Sequence, residues 1–233
     1  MSVEARSERR EFGDGVLARG AAAVYHVVVL ELLLLLTAGP GLVLLALLIP
    51  DRSNLPLAAL AMVPAGPAVA ATVFAWRAVL RHGGLEPARH FWRGYRLNAA
   101  PVLRWWVPAL AVLTVLAVDL AHLDAVAPPG ALRLAFGAVL AAVTVGVAVT
   151  VLHALVLTAL FDLRTRDLLR LAWRHAAGSP RVTLGAVSLA VLALGVVAVG
   201  SDWVLALTGS LFALLLLHNA APMTADVEEN HTA

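Results

Sequence analysis

From Val27 to Leu36 ten consecutive residues are apolar except for Glu31. This run belongs to a series of apolar stretches, each near the roughly 20 residues that a helix needs to cross a bilayer. Such stretches leave little choice of fold. In lipid every backbone N–H and C=O must be satisfied inside the segment, so the spans are helices. Composition agrees. The chain of 233 residues is 61% hydrophobic and 14% charged, with mean hydropathy +0.87, whereas a soluble domain carries about 25% charged residues. The expected fold is all-α, a polytopic bundle of six transmembrane helices with two cytoplasmic amphipathic helices.

The six spans are expected near residues 21–48, 55–80, 102–121, 132–161, 182–199 and 203–221. Residues 1–20 form an N-terminal tail and 222–233 an acidic tail with Asp226, Glu228 and Glu229. Gly39-Pro40-Gly41 interrupts the first run, and Pro64, Gly66 and Pro67 interrupt the second. Proline removes a backbone donor and clashes with the preceding turn, so a kink or break is expected at both places. Asp51-Arg52-Ser53-Asn54, Pro128-Pro129-Gly130 and Gly200-Ser201-Asp202 read as turns. The first apolar run is too long for the core of a cleaved signal peptide.

Arginine supplies the orientation. All 17 basic residues are arginine, and fifteen of them fall in the N-terminal tail, the second connection and the fourth connection. Only Arg52 and Arg133 fall on the other side. The positive-inside rule then places both termini in the cytoplasm, consistent with an even number of spans. The compartment expected is a bacterial cytoplasmic membrane.

Several chemistries are excluded. The chain has no cysteine, which removes disulfides, thiolate metal sites and cysteine nucleophiles. The lack of lysine removes Schiff-base chemistry and a Walker-type phosphate loop. There is no G-x-S-x-G, no H-E-x-x-H and no Ser/His/Asp arrangement. Asp119, His122 and Asp124 lack a fourth ligand nearby, so neither a metal nor a cofactor is expected. No nucleophile–base pair is present, and the chain reads as non-enzymatic.

The two basic connections resemble each other. Arg89, Trp92 and Arg93 match Arg170, Trp173 and Arg174 at an offset of 81 residues, which suggests a repeated unit of basic helix plus helical hairpin. At 100° per residue, Arg89, Arg93 and Arg96 lie within about 60° of one another, with Phe91 and Tyr95 pointing the other way. Arg166, Arg170 and Arg174 share a second stripe, with Leu168, Leu171 and Ala172 opposite. Both stripes suit anchoring on the inner leaflet or docking to a cytoplasmic protein. Nucleic acid is not an expected partner.

Within the apolar runs, Glu31 and His153 are the polar candidates. An acid at a helix centre costs roughly 2.5–3.5 kcal/mol on the insertion scale, which its apolar neighbours offset. The carboxyl still needs a partner or a proton. Ala138, Ala142, Gly146 and Thr150 recur at four-residue spacing, the small-residue pattern that lets helices approach closely, and His153 falls within that stripe. Glu31 lies about 15 Å and His153 about 12 Å from the same end of the bundle, which makes a pairing of the two one hypothesis, beside separate satisfaction of each by backbone carbonyls, water or lipid headgroups. Gly185, Ser188 and Gly195 read as a packing face around Leu192. His26 and His218 are expected at the interface.

Met62-Val63-Pro64-Ala65-Gly66-Pro67-Ala68-Val69-Ala70-Ala71 and His90-Phe91-Trp92-Arg93-Gly94-Tyr95-Arg96-Leu97-Asn98 together resemble the YesL-type family of bacterial membrane proteins, a domain of unknown function. The family's first segment usually has Thr after the proline, where this chain has Ala65-Gly66. The resemblance implies an integral membrane protein often encoded beside carbohydrate ABC importers. On it rests the expected function, an accessory or assembly partner of such an importer. The alternative is a small proton-coupled secondary transporter built from the interrupted helices and Glu31; its short chain would call for a homo-oligomer.

Overall fold

The computed structural model describes residues 15–199 and 207–231, and these form helices joined by short connections. We number them α1 (Val16–Leu47), α2 (Leu55–Ala61), α3 (Ala65–His82), α4 (Pro87–Ala121), α5 (Leu123–Val126), α6 (Ala131–Leu160), α7 (Thr165–Gly178), α8 (Pro180–Val199), α9 (Gly209–Asn219) and α10 (Ala221–His231). Among the described residues there is no strand. Three helices, α1, α4 and α6, are long and apolar enough to cross a membrane. Three bent pairs bring the number to as many as six: α2 with α3 at 45°, α7 with α8 at 96°, and α9 with α10 at 50°.

Much of the outside of this bundle is apolar. Leu32, Leu36, Val43, Val112, Val115, Leu132, Leu134, Val139 and Val191 all stand exposed, far more contiguous apolar surface than a water-soluble monomer tolerates. The core is assembled from small residues and tryptophans. Ala68, Ala70, Ala71, Val73 and Ala75 line α3, and Trp76, Trp105 and Trp106 fill the spaces between. Each of these indole N–H groups is satisfied: Trp76 donates to Ser210 O at 2.9 Å, Trp105 to Thr158 Oγ1 at 3.1 Å, and Trp106 to Met62 O at 3.0 Å. An apolar solvent gives little drive for helices to associate, so close packing and such hydrogen bonds hold the spans together.

The structure redraws three of the expected boundaries. First, Gly39-Pro40-Gly41 does not break α1, which runs unbroken for 32 residues. An interruption there would orphan several backbone groups in apolar surroundings, whereas a proline within the helix orphans one carbonyl. Gly41 has a different role, because its Cα lies against the Ala61 carbonyl. The break at Pro64 is present: α2 ends at Ala61, α3 begins at Ala65, and Gly66 lies under the Trp106 ring.

Second, the first basic segment is not a separate surface helix. It is the opening of α4, which passes through Pro101 and Pro108 without a break. Phe91, Gly94, Asn98, Val102 and Trp105 make one buried stripe, with Gly94 set against Phe74 of α3. That packing holds the segment in line with the rest of the helix. The second basic segment, α7, turns by 96° at Ser179-Pro180 before α8 begins. The two similar stretches thus leave the bundle at different angles.

Third, the acidic tail is helical. Met223 and Val227 of α10 are fully buried. Glu228 binds Arg77, and also Arg81 at 2.7 Å, while Asp226 lies 3.4 Å from His175 of α7. Arg77 also sits over the Phe161 ring, 5.7 Å from its centroid. Glu228→Gln is expected to loosen α10. Limited proteolysis should then cut within Ala221–His231 sooner than in the parent protein, while Glu229→Gln, on the exposed side, should leave the rate unchanged.

At the opposite end of the bundle the connections are tied by backbone acceptors. Arg133 donates to Ala127 O, and Arg52 to Ala121 O. Asp51 accepts from the Ser53 hydroxyl and amide, which holds its carboxyl below the usual carboxylate range.

Candidate functional site

Helix α9 begins in mid-bundle, level with the middle of α1. The first turn of any helix leaves N–H groups without an intrahelical partner. In an apolar interior each such donor costs about 1–3 kcal/mol if it finds nothing. Thr208, at the N-cap position, offers no side-chain hydrogen bond to them. The acceptor comes instead from α1. Glu31, 7% exposed, takes the Ser210 N–H on Oε2 at 2.7 Å and the Gly209 N–H on Oε1 at 3.2 Å.

The surroundings complete the node. Ser210 Oγ donates to Val27 O at 3.3 Å, one turn from Glu31 on the same helix. The Trp76 indole donates to Ser210 O. The start of α9 is thus tied to α1 twice and to α3 once. A carboxylate at a helix N-terminus also meets the positive end of the helix dipole. Gly209 permits the approach, since a Cβ there would lie 3.1 Å from Leu34 Cδ2 and 3.3 Å from Glu31 Oε1. Beside Gly209 lies a cavity of about 470 Å³ bounded by Leu34, Ala38, Ala68, Trp106, Phe212 and Ala213 among others. Among the described residues, no charged or hydroxyl side chain lines it.

Of the two possibilities for Glu31 and His153, the structure shows no pairing; Glu31 is satisfied separately. Glu31 is satisfied by backbone amides 178 and 179 residues away in sequence. His153 is fully buried on α6. It faces α7 at Ala172 and His175. Depth along the bundle was the only link the sequence offered between them, and depth does not fix which helix neighbours which. Of the other histidines, His26 is buried and its Nε2 lies 2.9 Å from Gly84 O.

Two sets stand out among the basic residues. Arg77, Arg81, Arg89 and Arg133 have carboxylate partners. Arg93, Arg96, Arg166, Arg170 and Arg174 are exposed, and none forms an ion pair among the described residues. Trp92 and Trp173 stand beside them, 39% and 59% exposed. Phe91 is buried against the protein and Tyr95 is half-buried, so only the arginine side of that segment is presented outward. Leu168, Leu171 and Ala172 of α7 are buried, opposite the arginine stripe. Gly185 and Asn219 were not expected as partners, yet Gly185 admits the Asn219 side chain, which donates to Val182 O at 2.8 Å. Gly200-Ser201-Asp202 and Trp203 lie outside the described residues. No group of three or more metal-ligating side chains is present among the described residues.

No family model, curated protein or solved structure matches the chain.

Proposed function

We propose that this chain is a six-span bacterial membrane protein with both termini in the cytoplasm. In this reading it serves as a non-enzymatic accessory or assembly partner of a carbohydrate ABC importer. The observation that carries this reading is the use made of Glu31. The lone acid of the first span is occupied as an interhelical cap, and the cavity beside it is apolar. Such an interior suits a scaffold better than a path for a polar solute. The surface chemistry lies in the exposed arginines and tryptophans of α4 and α7, which suit a membrane-proximal docking face. The resemblance to YesL-type proteins supplies the importer as the partner.

Affinity purification in mild detergent tests this directly. Importer subunits are expected at stoichiometric yield, and their absence under conditions that keep the protein folded would remove the proposal. A periplasmic reporter fused after Ala233 is expected to stay silent.

One observation favours the second reading, a proton-coupled carrier. A half-helix that starts at mid-depth, its N-terminus facing a carboxylate, is the kind of element from which carriers build their sites. Solute uptake by the purified protein in proteoliposomes, abolished by Glu31→Gln, would favour this reading over the first.

A further inference from the structure

Helix α7 crosses the start of α8 at 96°, so if α8 spans the membrane, α7 lies along its surface. Under α7 runs a groove of about 450 Å³ between α6 and α8. Its floor is Ala142, Gly146 and Val149 of α6, and Trp173 and Ala177 border it from α7. The one hydroxyl in the lining, Thr183 Oγ1, is occupied by Ala176 O at 2.8 Å. The groove is therefore apolar, and its size is that of a ligand site, about 300–1,000 Å³. At Gly146 a Cβ would meet nothing within 4 Å, so the small residues here open a space that no neighbouring helix fills.

The rim has the opposite character. At 100° per residue, Arg166, Arg170 and Arg174 lie within about 80° of one another, and Trp173 and Ala177 fall in or beside the same arc. Three exposed guanidinium groups without a carboxylate partner among the described residues thus share the side of α7 that carries Trp173 and Ala177, and Arg170 and Arg174 are the nearest of them in sequence to these two groove residues. An exposed indole marks the junction. A ligand that matches both parts has a hydrocarbon chain and a negatively charged head. Arginine's planar fork suits a phosphate oxyanion in particular.

We propose that this groove binds one anionic phospholipid, with an acyl chain along Ala142, Gly146 and Val149 and the phosphate on Arg170 and Arg174. The site rests on the membrane-spanning reading above and does not depend on the importer. It would fix α7 at the surface and add a lipid to whatever docks there.

Native mass spectrometry of the protein in mixed micelles, with phosphatidylglycerol or phosphatidylcholine as the probe, tests the assignment. One phosphatidylglycerol should be retained in preference to phosphatidylcholine. The Arg170→Gln/Arg174→Gln double variant should lower that preference about twenty-five-fold, from about fivefold per arginine. Gly146→Leu, which fills the floor, should reduce retention of both lipids. Arg93→Gln with Arg96→Gln, on the other basic segment, should change neither. Equal retention of the two lipids by the parent protein overturns the proposal, as does an equal loss on changing Arg93 and Arg96. Soluble glycerophosphate should not displace the lipid; displacement would mean that the arginines read a free phosphate and the groove takes no chain. Protein that stays in aqueous solution without detergent would instead overturn the membrane reading itself.

Discussion

Glu31→Ala is expected to lower the stability of the bundle by about 2–4 kcal/mol, since two buried donors at about 1–3 kcal/mol each lose their acceptor and relaxation recovers part of the loss. At roughly 2–4 °C per kcal/mol for a domain of this size, the shift should be plain in a thermal melt in detergent. The loss should begin at the start of α9, where Gly209 and Ser210 donate. Hydrogen exchange at those two amides should quicken before exchange in α3 or α6 changes. Glu31→Gln should recover about half of the effect, because one carbonyl oxygen remains while the other position becomes a donor facing a donor. Parent-like melting of the alanine variant, with Gly209 and Ser210 still protected, would mean that another acceptor replaces the carboxylate. The same pair of variants separates the two functional readings. A cap is needed for folding and is partly restored by glutamine. A proton carrier would lose solute uptake as Glu31→Gln beyond this change in stability, whereas a scaffold has no uptake to lose.

The second large effect is expected at Gly41. A Cβ there would fall 1.9 Å from the Ala61 carbonyl oxygen and 3.0 Å from Pro64 Cγ. The nearer atom belongs to the backbone and cannot swing aside as a side chain would. Gly41→Ala must therefore push α1 away from the α2–α3 bend, at a cost of about 1–3 kcal/mol or more. Gly39→Ala, two residues earlier, meets nothing within 4 Å and should stabilise α1 by about 0.5–1 kcal/mol, the usual gain for replacing a helical glycine. Melting temperatures moving in opposite directions for the two variants would establish close approach, not backbone freedom, as the reason for Gly41. A loss of equal size at Gly39 would refute it.

These two sites show what the sequence carried and what it lacked. Spans were legible because lipid forces apolar length and internal hydrogen bonding, and α1, α4, α6 and α8 all fall where those runs lie. The bend at Pro64 was legible because two prolines and a glycine occur together. The unbroken course of α1 was not, because Gly39-Pro40-Gly41 carries the same local signal and only its neighbours decide the outcome. Glu31 stood out as a costly residue, yet nothing local named its partner. A clue did exist in Thr208-Gly209-Ser210, three residues of helix-start type inside an apolar run, where a continuous sixth span was expected. Phe91 and Trp92 are adjacent and chemically alike, but one is buried and the other exposed. The period of the helix separates them; whether the buried side met lipid or α3 was a matter of tertiary packing. In the same way an acidic tail such as Asp226 to Glu229 reads as solvated until Arg77, Arg81 and His175 are found opposite it.

The bond between Ser210 and Glu31 closes a loop of 179 residues. A ribosome delivers the acid with α1 and the amides that donate to it 178 and 179 residues later. Through the whole interval the carboxyl must be held by water, a proton or the insertion machinery, because its permanent partners do not yet exist. The α1 carboxyl and the α9 amides are thus joined only after both have been made, and a polypeptide stopped short of Gly209 would expose an unsatisfied acid where quality control could find it.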